Sequence, residues 1–187
     1  MHHFDRIDGA LHAESVPLEA IAEAVGTPVY IYSTATLTRH YGLFREAVEA
    51  HRSSLGGALI AFAVKANSNL SVLATLARLG CGADTVSEGE IRRALAAGIP
   101  GERIVFSGVG KAEGEIAFAL QNDVAEINVE SEPELTLVEA IAAEKGVQAT
   151  VAIRVNPDVS AGGHSKISTG KSENKFGVSL AEAVARA

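Results

Sequence analysis

The sequence has no tryptophan, a single cysteine and few aromatic residues of any kind, and each scarcity excludes something. With Cys81 alone, no disulfide forms within the chain, which fits a reducing compartment. Aromatics at 5% leave too few rings for a platform that stacks single-stranded bases. Basic residues form no run and are outnumbered, 16 against 23 acidic ones, so the net charge of −7 disfavours nucleic acid and anionic membrane surfaces. No apolar stretch reaches the ~20 residues of a membrane span. The start, Met-His-His-Phe-Asp-Arg, lacks the apolar segment of a signal peptide. The expectation is a cytoplasmic chain with neither a membrane nor a nucleic-acid partner. Apolar residues make up 47% of the 187, enough to build a core and to exclude global disorder.

Residues 1–33 differ from the rest. Residues 4–12 read as a strand pair around Asp8-Gly9. Pro17 suits the first turn of a short helix with Leu18, Ile21, Ala22 and Val25 on one face and Gly26 as its stop. Residues 28–32 predict a strand by their β-branched and aromatic content. Ser33 then caps a longer helix with Leu37, Tyr41, Phe44 and Val48 on one face. From Ala58 a rhythm sets in. Strands over 58–64, 82–86, 103–106, 126–129 and 148–155 alternate with helices over 70–79, 88–97, 112–121 and 132–145. A polar loop over 156–176 follows, and 179–187 opens another helix.

Strict alternation with short links predicts an α/β chain with a parallel sheet covered by helices. Units of this size suit a (β/α)8 TIM barrel, which needs about 250 residues. The five β-α units here would make it a partial one. A doubly wound sheet stays open on pattern alone, although no dinucleotide fingerprint follows the first strand. The last helix reaches Ala187 without a stop signal, so about three further units are expected to be missing.

Lys65 ends the dry run Ala-Leu-Ile-Ala-Phe-Ala-Val, at the carboxyl end where parallel barrels place their chemistry. Burial there would favour the neutral, nucleophilic amine; the alternative is a lysine that snorkels to solvent. Asp84, Ser107, Glu130 and Arg154 stand at the ends of the other strands. A buried Arg154 would want an anionic partner. Ser87-Glu-Gly-Glu90 and Ser131-Glu-Pro-Glu134 both have the spacing of a capping box. Ser107-Gly-Val-Gly-Lys111 fails the phosphate-loop pattern, because Ala112 follows the lysine. In the long loop, His164 is a candidate acid-base or gating group, and Lys166, Lys171 and Lys175 suit an acidic substrate or plain solvent. No spacing resembles a metal site, and Cys81 beside Gly82 reads as a small packing residue.

The run Phe62-Ala-Val-Lys65-Ala-Asn67, with Leu73, Leu76 and Gly80 after it, resembles the lysine signature of the fold type III, alanine-racemase-like pyridoxal-phosphate decarboxylases. Within that family the chain is most similar to the diaminopimelate decarboxylases. The supporting stretches are Gly82 to Glu90, Ile104 to Lys111, Arg154-Val-Asn-Pro-Asp158, and His164 through Gly170 to Lys175-Phe-Gly177. One local departure is Glu88, where the family more often has glycine.

The resemblance implies a barrel followed by a β domain, with 1–33 belonging to that β domain and 34–187 to the partial barrel. It implies pyridoxal 5'-phosphate as cofactor, Lys65 as the lysine that binds it, and Asp84, Glu90 and Arg154 near it. It implies a small amino-acid substrate, a homodimer, and decarboxylation of meso-2,6-diaminopimelate to L-lysine. The family's phosphate loop, ring-stacking histidine, pyridine-nitrogen glutamate and cross-dimer residues would lie beyond Ala187. The 187-residue chain alone is therefore expected to lack turnover. Two alternatives stay open: another member of the same fold type, and a non-catalytic remnant.

Overall fold

The computed structural model describes residues 2–51, 57–156 and 177–179. At the amino end, β1 (Phe4–Ile7), β2 (Ala10–Ala13) and β3 (Val16–Pro17) form a small antiparallel sheet. Asp8 and Gly9 both adopt positive φ, 50° and 84°, as a two-residue hairpin turn requires. Helix α1 (Leu18–Val25) follows, and Gly26, at φ 81°, ends it by donating its N–H to Ala22 O. Residues 28–32 do not form the expected strand. Among the described residues the segment has no ladder partner, and Tyr30 is 88% exposed. Strand propensity describes fitness for a pleated, half-buried surface, and among the described residues no such surface lies beside this segment.

Ser33 caps α2 (Thr34–Glu49) as expected, accepting the Thr36 N–H at 3.0 Å. Leu37 and Tyr41 pack with Val72, Leu76 and Cys81, but Phe44 is 60% exposed, so the buried stripe is narrower than the one read from spacing. Cys81 is buried there and its thiol donates to Ile60 O; burial pushes its pKa up, so it is a packing residue.

Glu14 fastens the small sheet to α2. Its Oε1 accepts the Ala35 N–H at 2.9 Å and the Ser33 hydroxyl at 2.8 Å, and these two donors hold its carboxyl below the usual glutamate range. A carboxylate lowered on folding adds stability above its unfolded pKa, and that stability is lost as pH falls through the folded one. Melting followed by circular dichroism should therefore show Glu14→Gln below the wild type at neutral pH. The gap should close on acidification; a gap that stays constant with pH would refute the linkage.

The larger part is a five-stranded parallel sheet: β4 (Ala61–Ala63), β5 (Gly82–Thr85), β6 (Ile104–Phe106), β7 (Glu126–Val129) and β8 (Val151–Ile153). Helices α3 (Leu70–Arg78), α4 (Glu88–Ala96), α5 (Glu113–Gln121) and α6 (Glu132–Lys145) connect them. The strands lie in sequence order, with no reversal of the kind a doubly wound sheet has at its switch point. This is the curved wall of a (β/α)8 barrel. Arg154 lies between β8 and β9 (Val155–Asn156), and β9 pairs in parallel with β10 (Val178–Ser179). The strand expected over 148–155 is thus split at Arg154, whose N–H bonds Val129 O and whose carbonyl accepts the Val178 N–H. Its loop 156–176 and the helix over 179–187 fall largely outside the described residues, apart from the β9 and β10 ends.

Register sorts the side chains onto two faces. Ala83, Thr85, Ile104, Phe106, Ile127 and Val129 are buried against the helices, together with Leu73, Ile91, Ile116, Val138 and Ile141. Each of the leucine, isoleucine, valine and phenylalanine side chains among them contributes about 1.5–3 kcal/mol of burial. The alternate residues, Ala63, Asp84, Val105, Asn128 and Ala152, share the inner face and are only half-buried. No described helix is long and apolar enough to cross a membrane.

Candidate active site

The carboxyl ends of β4 to β8 bring together the polar groups that each strand delivers to its loop. After Ala63 the chain tightens into a 3-10 turn, Val64–Ala66. Val64 is fully buried and anchors the turn against β5 and α4, while Lys65 is exposed. This corrects the expectation of a desolvated lysine: the strand ends at Ala63, one residue before its expected end, and the turn lifts the side chain out of the core. Lys65 makes no hydrogen bond or ion pair among the described residues. Ala63 pairs with Asp84, so Lys65 emerges just beyond Asp84 on the neighbouring strand.

Asp84 is joined to two further strands. Ser107 donates its hydroxyl to Asp84 Oδ1 at 2.6 Å, and Asn128 Nδ2 donates to Ser107 Oγ at 3.0 Å. The chain Asn128–Ser107–Asp84 thus crosses β7, β6 and β5 on the inner face. Asn128 was not singled out by sequence; its signal is a polar residue between Ile127 and Val129, which alternate into the core.

Arg154 finds the anionic partner its position called for. Its Nη1 lies 2.9 Å from Glu130 Oε1, but the guanidinium is 44% exposed and only Glu130 is buried, at 5%. The expected buried arginine is therefore corrected to a half-exposed one, because it sits in the break between β8 and β9. Glu130 Oε2 is buried and has no donor among the described residues. Glu130 and Arg154 line, with Ser107, Asn128, Ala152 and Ile153, a cavity of about 320 Å³ on the inner face.

Glu90 completes a reciprocal cap at the start of α4. Ser87 Oγ accepts the Glu90 N–H, and Glu90 Oε2 accepts the Val86 N–H at 2.8 Å. One carboxylate oxygen of Glu90 is thereby committed to fixing where the chain leaves β5. Glu115 does similar work one unit on, accepting from both Ala112 N and Glu88 N. Exposed Arg92 and half-buried Glu88 pair across one helical turn at 2.7 Å. His164 lies outside the described residues.

The family model for the pyridoxal binding domain of the pyridoxal-dependent decarboxylases matches residues 41–187. The chain belongs to that family. It is similar to the diaminopimelate decarboxylase of Vibrio cholerae, 53% identical over 173 residues, which cover 92% of this chain and 40% of the relative. The diaminopimelate decarboxylase of Pseudomonas fluorescens is 50% identical over 184 residues, 98% of this chain and 43% of the relative. The crystal structure of diaminopimelate decarboxylase from Helicobacter pylori complexed with L-lysine superposes with a TM-score of 0.83 at 46% identity. It covers 90% of this chain and 41% of that one. The chain spans about two fifths of the length of the curated relatives it matches.

As a pyridoxal-dependent decarboxylase domain, the chain has pyridoxal phosphate as its cofactor, and the inner face fits that group. The exposed Lys65 amine can take the cofactor's aldehyde, and the half-exposed Arg154 and the Asp84 carboxylate offer charges of both signs. Glu130 Oε2 is a buried acceptor for an N–H or O–H group beside the cavity.

Proposed function

We propose that this chain is the cofactor-binding part of a diaminopimelate decarboxylase, which removes carbon dioxide from meso-2,6-diaminopimelate and leaves L-lysine. The observation that carries the reading is Lys65. It is an exposed amine with no partner among the described residues, at the carboxyl end of β4 beside the Asp84–Ser107–Asn128 chain. The names of the relatives support the substrate, and the L-lysine in the Helicobacter pylori structure is what a diaminopimelate molecule becomes on losing one carboxylate.

When bound, pyridoxal phosphate supplies an electron sink for the pair left on the substrate's α-carbon as carbon dioxide departs. Lys65 would hold the cofactor through its aldehyde, the exposed amine on a flexible stem being the group able to reach it. Asp84, oriented by the Ser107 hydroxyl, presents a carboxylate to the ammonium of Lys65 or of the incoming amino acid. Arg154, anchored on Glu130, presents a fixed positive charge on the same face. Glu90 holds the β5-to-α4 turn that shapes the mouth of the site. His164, outside the described residues, is assigned the role of an acid-base or gating group toward the substrate.

On the same reading, residues 1–33 belong with a β domain and 34–187 with the barrel, and the protein is a cytoplasmic homodimer. The test is to supply the full-length enzyme, of which this chain is the cofactor-binding part, with pyridoxal phosphate and meso-diaminopimelate, ornithine or arginine, and to follow carbon dioxide and the amine products. Lysine formed from diaminopimelate alone is the expected result. Turnover of ornithine or arginine in its place would move the protein to another branch of the family.

A further inference from the structure

Behind the site lie two charged side chains that the mechanism does not use. Lys111 is 1% exposed and Glu134 is 9% exposed. An ammonium has three protons to donate, and Lys111 places all of them. Its acceptors are Gly108 O at 2.6 Å, Asn128 O at 2.6 Å and Glu134 Oε1. Its Nζ also stands 5.3 Å from the centre of the Phe106 ring. The other oxygen of Glu134 accepts the Glu130 N–H at 3.2 Å.

The pair therefore grips the main chain at three places, and each adjoins an inner-face polar side chain. Gly108 follows Ser107, Asn128 carries the amide that binds Ser107, and Glu130 carries the carboxylate that anchors Arg154. The loop it grips has little else to hold it. Gly108 and Gly110 both have positive φ, 95° and 69°, and Val109 is 53% exposed. Burying two charges is costly, and an apolar pair would commonly serve stability as well. An apolar pair could not bind three main-chain groups.

We propose that the buried Lys111–Glu134 pair is the positioning element of the site, setting Ser107, Asn128 and Glu130 without touching cofactor or substrate. The inference rests on reading the inner face as the pyridoxal phosphate site. Its test is the double variant Lys111→Met/Glu134→Gln, which keeps volume and removes both charges. Two readouts are compared with the unmodified protein: amide hydrogen exchange without cofactor, and the dissociation constant for pyridoxal phosphate. Exchange should quicken at 107–110 and 128–130 while β5 amides stay unchanged. Affinity should fall about tenfold, the equivalent of about one charge-assisted hydrogen bond.

Unchanged exchange at those segments would overturn the proposal. So would quickened exchange with unaltered affinity, which would make the pair a structural brace only. A double variant that fails to fold would assign the pair to the fold and overturn the positioning role as well. If the unmodified protein binds no pyridoxal phosphate, the reading of the face fails separately, and the exchange comparison alone decides whether the pair holds the loop.

Discussion

Borohydride reduction of the protein with pyridoxal phosphate leaves a pyridoxyl group on the peptide that carries Lys65. In the full-length enzyme, Lys65→Ala removes that label and lowers turnover by at least about a thousandfold. The reason is geometric before it is electrostatic. Lys65 is exposed and without a partner among the described residues, whereas the Lys111 ammonium is 1% exposed and has three acceptors. A lysine whose protons are all committed in the interior reacts only after the wall opens. Because Lys65 is exposed, its removal should change stability by no more than about 0.5 kcal/mol, so lost labelling is not lost folding. Lys65→Arg is the sharper control. It keeps the charge but has no amine able to condense with an aldehyde at neutral pH. A label recovered on Lys111 or Lys145 would sink the assignment.

The second large effect is expected at Phe106. Its side chain is fully buried between the sheet and the helices, in the cluster that also contains Ile104, Ile116 and Ile127. Phe106→Ala should cost about 3–5 kcal/mol, because the lost transfer energy is joined by the energy of the cavity left behind. Against the ~5–15 kcal/mol of a typical domain, that is a large share. Urea unfolding at constant slope gives the measurement. A loss below about 1 kcal/mol would mean that neighbouring side chains collapse into the space. The next residue is Ser107, so the substitution also loosens the hydroxyl that orients Asp84, and cofactor affinity should fall along with stability.

Much of this was legible in the sequence where the signal is local. The alternation of short apolar-rich runs with helical stripes marks a parallel sheet with its helices, because each strand must turn at least one apolar face to the helices that cover it. The Ser-x-x-Glu starts at Ser87 and Ser131 read as caps, and Ser87 and Ser131 do cap, accepting from Glu90 N and Glu134 N. Capping needs only residues three apart, so no distant partner decides it. The Lys65 signature and its strand-end position are likewise matters of neighbouring residues.

What the sequence could not show depends on partners far along the chain. The sequence order of β4 to β8, which separates a barrel wall from a doubly wound sheet, is a fact of pairing and leaves no mark in any one strand. Residues 28–32 have strand composition, yet they form no strand among the described residues, since a ladder needs a second chain segment beside it. The double service of Glu134, as a cap to Glu130 and as counter-ion to Lys111, joins residues 23 apart. Its capping spacing concealed the second role. Ser107 stands 23 residues from Asp84 and 21 from Asn128, and the three sit one on each of three strands or strand ends. By itself, then, the sequence determined most of the elements, the serine caps and the place of Lys65 just past a strand end, because those follow from contacts within a turn or a strand. Only the tertiary structure decided which polar groups meet, which charges are buried and which face stays open, because hydrogen bonds between strands form only when the sheet brings their ends together.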